Sequence, residues 1–216
     1  MSQTAYEQLI RAGVIAIVRG IGSDSILPFA EALYRGGVSC IEIPFDQSGE
    51  AGIRETLRCI RVLNENSSGR FCVGAGTVLT TEQVHMALDA GAAYMIAPNV
   101  DEAVIRETKR LGAVSIPGAL TPTEAVFAYG CGADIIKLFP AGLMGAAYVK
   151  ALKTPLSHIP MTAVGNITLD NCADFVRAGC IGVCVGGALA NVKLVNEGRF
   201  DEISRIAESF VSAVRI

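Results

Sequence analysis

Short apolar runs rich in Val and Ile recur along the chain, separated by amphipathic stretches: "VIAIVRG" (14–20), "CIEIPF" (40–45), "FCVGAGT" (71–77), "YMIAPN" (94–99), "AVSIPGA" (113–119), "IIKLFPA" (135–141), "MTAVGNI" (161–167) and "IGVCVGG" (181–187). Their hydrophobicity is continuous rather than alternating, as in a parallel strand buried on both faces. The segments between them carry helix ends. "TPTEAVFAYGCG" sets Thr121 as N-cap, Pro122 at the first helical position, Glu124 three residues after the cap and Gly130 near the stop. "TTEQVHMALDAG" repeats this with Thr80 and Gln83 as a capping box and Gly91 as the stop. Eight strand runs alternating with helices predict a (β/α)8 TIM barrel, one domain over residues 1–216, with an extra helix at about 3–11 across its bottom. The alternative is an open doubly wound sheet, which more often has about five to seven strands.

Within these runs carboxylates, lysines and arginines occur at three places: Arg19 ends the first, Glu42 sits in the second and Lys137 in the sixth. The plain alternative for each is a salt bridge, a stem reaching water or a cap. Burying a charge in an apolar sheet costs several kcal/mol unless it is paired, so three together point to a site. Barrel enzymes draw catalytic residues from the C-terminal ends of several strands. Arg19, Glu42, Thr77, Asn99, Gly118, Lys137, Asn166 and Gly186 lie toward those ends.

An arginine, a carboxylate and a lysine suffice for one chemistry. A lysine desolvated beside Arg19 is favoured as the free amine, which attacks a ketone to give a Schiff base. The protonated imine stabilises the carbanion left when a neighbouring carbon–carbon bond breaks. Glu42 shuttles the protons, Arg19 offers a planar fork for a carboxylate or phosphate, and the Thr77 hydroxyl adds a hydrogen bond. The reading is a class I aldolase for a 2-keto acid, with Lys137 held inside. Gly165, Asn166, Gly186 and Gly187, with a helix N-terminus behind each pair, are candidates for a phosphate site. Alternatively, the glycines only permit tight turns.

Other classes find little support. "GAGTVL" (74–79) begins like a dinucleotide fingerprint, but Leu79 occupies the third glycine position. A formal charge of −3 from 18 basic and 21 acidic side chains gives no basic field for nucleic acid. No run approaches the ~18 apolar residues of a membrane span and "MSQTAYEQLIRAG" lacks the features of a signal peptide, so the expectation is a soluble cytoplasmic protein with no membrane partner. The seven cysteines are odd in number, lie in apolar contexts and contain no C-x-x-C pair, which predicts reduced core thiols. His85 has Glu82 and Asp89 at helical spacing, more simply a solvated helix face than a metal site, and His158 is distant. Neither a metal nor a cofactor is expected; the expected partner is a small-molecule substrate.

The motifs "IAIVRG", "IEIPF", "VGAGTVLT", "APN", "IPGALTPTEA" and "IKLFPA", in this order, resemble those of the 2-keto-3-deoxy-6-phosphogluconate and 4-hydroxy-2-oxoglutarate aldolases over nearly the whole chain. The resemblance implies Lys137 as the Schiff-base lysine, Glu42 as the proton shuttle, Arg19 and Thr77 as ligands of the pyruvate end, products pyruvate and glyceraldehyde 3-phosphate, and a homotrimer. Where the phosphogluconate branch continues its second strand into Thr-Leu-Arg this chain has Pro44, Phe45 and Asp46, more similar to the 6-phosphogalactonate branch. Many members carry Gly-Gly at Gly165 and Asn166, and Gly-Gly-Ser at Gly186, Gly187 and Ala188. Cleavage of 4-hydroxy-2-oxoglutarate to pyruvate and glyoxylate, a phosphosugar isomerase or epimerase using Glu42 as base, and a non-enzymatic sugar-phosphate sensor stand as alternatives.

Overall fold

The apolar runs pair side by side as parallel strands. A computed structural model describes residues 4–215, with β1 (Val14–Ile17), β2 (Cys40–Pro44), β3 (Cys72–Gly76), β4 (Tyr94–Ile96), β5 (Val114–Ile116), β6 (Gly118–Ala119), β7 (Ile136–Leu138), β8 (Met161–Val164) and β9 (Gly182–Val185). Eight runs yield nine segments because Pro117, which has no N–H to give the ladder, divides the fifth run. The order β5-β4-β3-β2-β1-β9-β8-β7-β6 puts the two halves of that run at opposite ends of the sheet. They are continuous in the chain, so the sheet closes on itself. Ile135 N–H donates to Ser115 O and Lys137 N–H to Pro117 O across the seam. The open doubly wound alternative is thereby removed.

The connecting helices are α1 (Ala5–Ala12), α2 (Ser23–Arg35), α3 (Glu50–Asn66), α4 (Thr81–Asp89), α5 (Glu102–Arg110), α6 (Pro122–Gly130), α7 (Ala141–Met144), α8 (Ala146–Lys153), α9 (Cys172–Arg177), α10 (Val192–Asn196) and α11 (Phe200–Val214). The Thr121–Glu124 capping box forms as the sequence predicts. The N-terminal helix lies slightly later than 3–11, because Thr4 and Glu7 make a capping box and Gly13 ends the helix in the left-handed region. Gln3, in the expected range, lies outside the described residues.

Alternation along each strand separates two cores. Outward residues such as Ile41, Ile43, Ile136 and Leu138 pack in the layer between sheet and helices. Inward residues such as Ile15, Cys40, Cys72, Ile96, Ile116 and Ile135 fill the barrel, joined by Leu9 of α1 from below. Fully burying one such leucine contributes about 1.5–3 kcal/mol, which fixes α1 across the N-terminal mouth. The opposite mouth is therefore the one left open. By the same alternation Glu42 follows Cys40, and Lys137 follows Ile135, into the barrel interior.

Candidate active site

Lys137 is 6% exposed and Glu42 1%, so neither side chain reaches out of the barrel to bulk water. Both line one cavity of about 540 Å3 at the C-terminal mouth, together with Arg19, Thr77, Gly165, Asn166, Gly186 and Gly187. The two residues assigned from sequence to catalysis and the six assigned to the two ends of a substrate thus share one space. Lys137 Nζ lies 5.1 Å from the centre of the Phe139 ring, which forms part of the wall.

Room for the Glu42 carboxyl is made by a missing side chain. Pro44 pairs with Gly76 across β2 and β3, and a Cβ on Gly76 would stand 1.9 Å from Glu42 Oε1. Burial pushes the Glu42 carboxyl above the ordinary carboxylate value, opposed by the positive charges of Lys137 and then Arg19. Glu42 Oε2 is buried without a hydrogen-bond partner among the described residues, a condition that costs about 1–3 kcal/mol for a typical polar group and more for a charged one. Gly76→Ala should therefore leave a folded barrel and turn the flexible carboxyl aside. Since roughly 1 Å of misplacement costs ~10²-fold, turnover should fall by about that factor in steady-state kinetics with the circular dichroism unchanged.

Arg19 Nη2 donates to Thr77 Oγ1 at 3.0 Å. Thr77 is held in the left-handed region at φ 53°, an unusual place for a β-branched residue. Amide side chains secure it. Gln47 Nε2 donates to Thr77 O at 2.9 Å, and Gln83 Nε2 donates to Gln47 Oε1 at 3.0 Å. The Gln83 carbonyl accepts from Leu79 N–H at 2.8 Å instead of closing a capping box with Thr80, whose hydroxyl does accept Gln83 N–H. Sequence reasoning missed this Gln83–Gln47 relay because a glutamine three residues after a threonine reads first as a cap.

Gly165 and Asn166 both take positive φ, 92° and 54°. The Asn166 carbonyl accepts from Asn171 Nδ2 at 3.0 Å. The expected helix N-termini are not directly behind the glycine motifs: α9 begins at Cys172 and α10 at Val192, each six residues past Asn166 and Gly186. Their place is taken by turns. Leu189 and Ala190 N–H groups curl back to Gly186 O, and Asn191 caps α10 by accepting from Lys193 and Leu194 N–H.

Two residues grouped with the site by strand position lie apart from it. Asn99 and Gly118 line an adjoining cavity of about 430 Å3 that shares Pro98 and Phe139 with the first. Gly118 is required by packing, since a Cβ there would stand 2.3 Å from Pro98 O. Pro44, Phe45 and Asp46 border a third cavity, of about 600 Å3, that meets the first at Arg19 and Thr77. Asp46 is held below the ordinary carboxylate value by the Ser48 N–H.

His85 takes neither helical neighbour as partner. Its Nε2 lies 2.7 Å from Glu107 Oε1 on α5, and Glu107 is pulled down to about 2 by Arg110 first and His85 after it. Among the described residues no group of three His, Cys, Asp or Glu side chains could hold a metal ion. All seven cysteines are free and buried. Tyr94, passed over in a search for charges, is fully buried with its hydroxyl unpartnered among the described residues.

This arrangement has close counterparts. The family profile described as "Aldolase: KDPG and KHG aldolase" matches residues 6–206. The 2-dehydro-3-deoxy-6-phosphogalactonate aldolase of Escherichia coli (strain K12) is 32% identical over 203 residues, covering 94% of this chain and 96% of its own. A solved structure described as "Native KDPGal structure" superposes with a TM-score of 0.83 at 32% identity, over 95% of this chain and 98% of that one. The KDPG aldolase of Legionella pneumophila, solved with pyruvate captured at low pH as a covalent carbinolamine, shares the fold with a TM-score of 0.85 at 21% identity, over 96% and 98% of the two chains. With sequence kinship along nearly its whole length, and a barrel that superposes on theirs, this chain belongs to the KDPG and KHG aldolase family.

Proposed function

We propose that the protein is a class I aldolase cleaving a 2-keto-3-deoxy-6-phospho sugar acid into pyruvate and glyceraldehyde 3-phosphate, through a Schiff base on Lys137. The observation that carries this reading is the enclosure of Lys137 and Glu42 in one cavity, with Arg19 and Thr77 at its wall. The Lys137 amine attacks the C2 ketone to form a carbinolamine, and Glu42 delivers the proton with which water leaves. As the C3–C4 bond breaks, its electron pair moves into the protonated imine and the Glu42 carboxylate takes the C4 hydroxyl proton, releasing the aldehyde. The enamine then accepts a proton at C3, and hydrolysis returns pyruvate and the free amine. A carboxyl raised by burial suits both directions of transfer. Arg19, already oriented by Thr77, presents the rest of its fork to the substrate carboxylate. The scheme draws on no metal or cofactor, and the kinship to aldolases favours it over an isomerase or a sensor on the same barrel.

Gly165, Asn166, Gly186 and Gly187 are proposed to hold the phosphate, by backbone N–H groups of the turns rather than by helix ends. The measurement is kcat/KM for a 6-phosphorylated 2-keto-3-deoxy acid against its unphosphorylated counterpart and against 4-hydroxy-2-oxoglutarate. We expect at least a roughly tenfold preference for the phosphorylated acid, about 1.4 kcal/mol of transition-state binding. Equal or better turnover of 4-hydroxy-2-oxoglutarate moves the assignment to that substrate and leaves the lysine chemistry in place.

The proposal extends to a homotrimer. Val126, Phe127, Leu143 and Met144 on α6 and α7 are exposed at 50%, 50%, 69% and 42%, apolar side chains of the kind a subunit contact covers. Light scattering should return three times the 22.6 kDa chain mass; a monomer mass at micromolar concentration rejects the trimer. No helix among the described residues is long and apolar enough to cross a membrane. The buried free thiols suit the reducing cytoplasm, where we place the enzyme.

A further inference from the structure

Two buried side-chain oxygens have no hydrogen-bond partner among the described residues, Glu42 Oε2 and Tyr94 Oη, and the sheet register brings their residues to the same level of the barrel. Glu42 pairs with Gly74 across β2 and β3, and Gly74 pairs with Tyr94 across β3 and β4. Three inward positions thus stand in a row, with the middle one bare. The Tyr94 ring fills that gap: a Cβ on Gly74 would stand 2.2 Å from its Cδ2 and Cε2 atoms. The ring therefore leans over β3, and its phenol is held above its ordinary value by burial first and then by Cys40, Cys72, Glu42 and Cys184 around it. Of these neighbours the carboxylate is the strongest acceptor, and a phenol is a donor as well as an acceptor. A fully buried tyrosine ordinarily finds a partner for its O–H.

We propose that Tyr94 is a positioning residue for Glu42, its phenol donating to the Glu42 carboxylate through one bridging water molecule. The inference rests on the reading of Glu42 as proton shuttle. It assigns the shuttle a support that Arg19 and Lys137 do not supply, since Lys137 turns into the Schiff base and Arg19 faces the substrate carboxylate. The charged or titratable groups that act on Glu42 are Lys137 from β7, Arg19 from beyond β1, Tyr94 from β4 and Cys184 from β9, while Cys40 and Cys72 act on Tyr94. A phenol donor favours the ionised carboxylate, so removing it must make Glu42 harder to ionise.

The test is Tyr94→Phe, which keeps the ring over Gly74 and deletes only the hydroxyl. Carbon-13 NMR of glutamate-labelled protein, with the Glu42 signal assigned by its loss in Glu42→Gln, follows the carboxyl titration without substrate. The Glu42 midpoint should rise by about 0.5 unit or more, roughly a threefold change in proton affinity. The acid limb of kcat/KM should move up by the same amount with KM little changed, and Tyr94→Phe should add nothing in a Glu42→Gln background. An unmoved Glu42 titration overturns the proposal whatever happens to turnover. A shifted titration with an unshifted rate profile keeps the Tyr94–Glu42 linkage and instead removes Glu42 from the proton transfer.

Discussion

Lys137→Met should abolish cleavage, lowering kcat/KM by about 10⁴-fold or more, since removal of a covalent nucleophile costs on that order. Borohydride reduction in the presence of pyruvate should add the reduced pyruvyl mass to the wild-type chain at Lys137 and leave the variant unmodified. The fold should survive. The side chain is 6% exposed, among Ile17, Phe139 and Val164 in the cavity wall, and methionine replaces it with an apolar chain of similar length. Substitution removes a positive charge that acts on the buried Glu42 carboxyl, a loss that ordinarily destabilises. Here the carboxyl can adjust. Lys137 is the larger of the two influences holding the Glu42 carboxyl down, so without it burial dominates and Glu42 is more readily neutral. Mass spectrometry after trapping decides the matter: adduct at the wild-type level in Lys137→Met places the Schiff base on another amine, and no adduct in the wild type favours the isomerase reading.

The barrel was legible because parallel strands buried on both faces require continuous apolar runs, and all eight became strands. Arg19, Glu42 and Lys137 stood out for the complementary reason: each breaks such a run, and a charge there needs a use or a partner. What pattern could not show is height around the barrel. Strands tilted and staggered against one another place nominal strand ends at different levels, so Asn99 and Gly118, assigned by position alone, face a neighbouring cavity. Amides and phenols also escape a search for charge. Gln47 and Gln83 fix Thr77 through bonds between residues distant in sequence, and the Tyr94 hydroxyl is hidden within an aromatic side chain natural to a strand. Helix starts behind the glycine motifs failed for a local reason, the curl at Gly186 and the turn stabilised by Asn171 at Asn166, neither of which a glycine count contains.

Glu42→Gln should lower turnover by about 10²- to 10⁴-fold, the usual range for general acid–base catalysis, while pyruvate still binds through Arg19 and still reaches Lys137. The pH dependence gives the sharper signature. Burial raises the Glu42 carboxyl above its ordinary value, and the cleavage step needs the ionised form to take the C4 hydroxyl proton. Wild-type kcat/KM should therefore fall as pH drops through that raised value, and the glutamine variant, with nothing to titrate there, should lose this limb. The sign for stability is the reverse. A carboxyl whose folded value lies above its unfolded value favours folding fully below the unfolded value, and the advantage is lost as pH rises through the folded one. Relative to wild type, Glu42→Gln should gain thermal stability as pH increases through that window. Solvent exchange of the pyruvate methyl protons isolates the chemistry, because it requires Schiff base and shuttle but no aldehyde, and it should slow by the same factor as turnover. Exchange at the wild-type rate in Glu42→Gln would show that another group moves the proton.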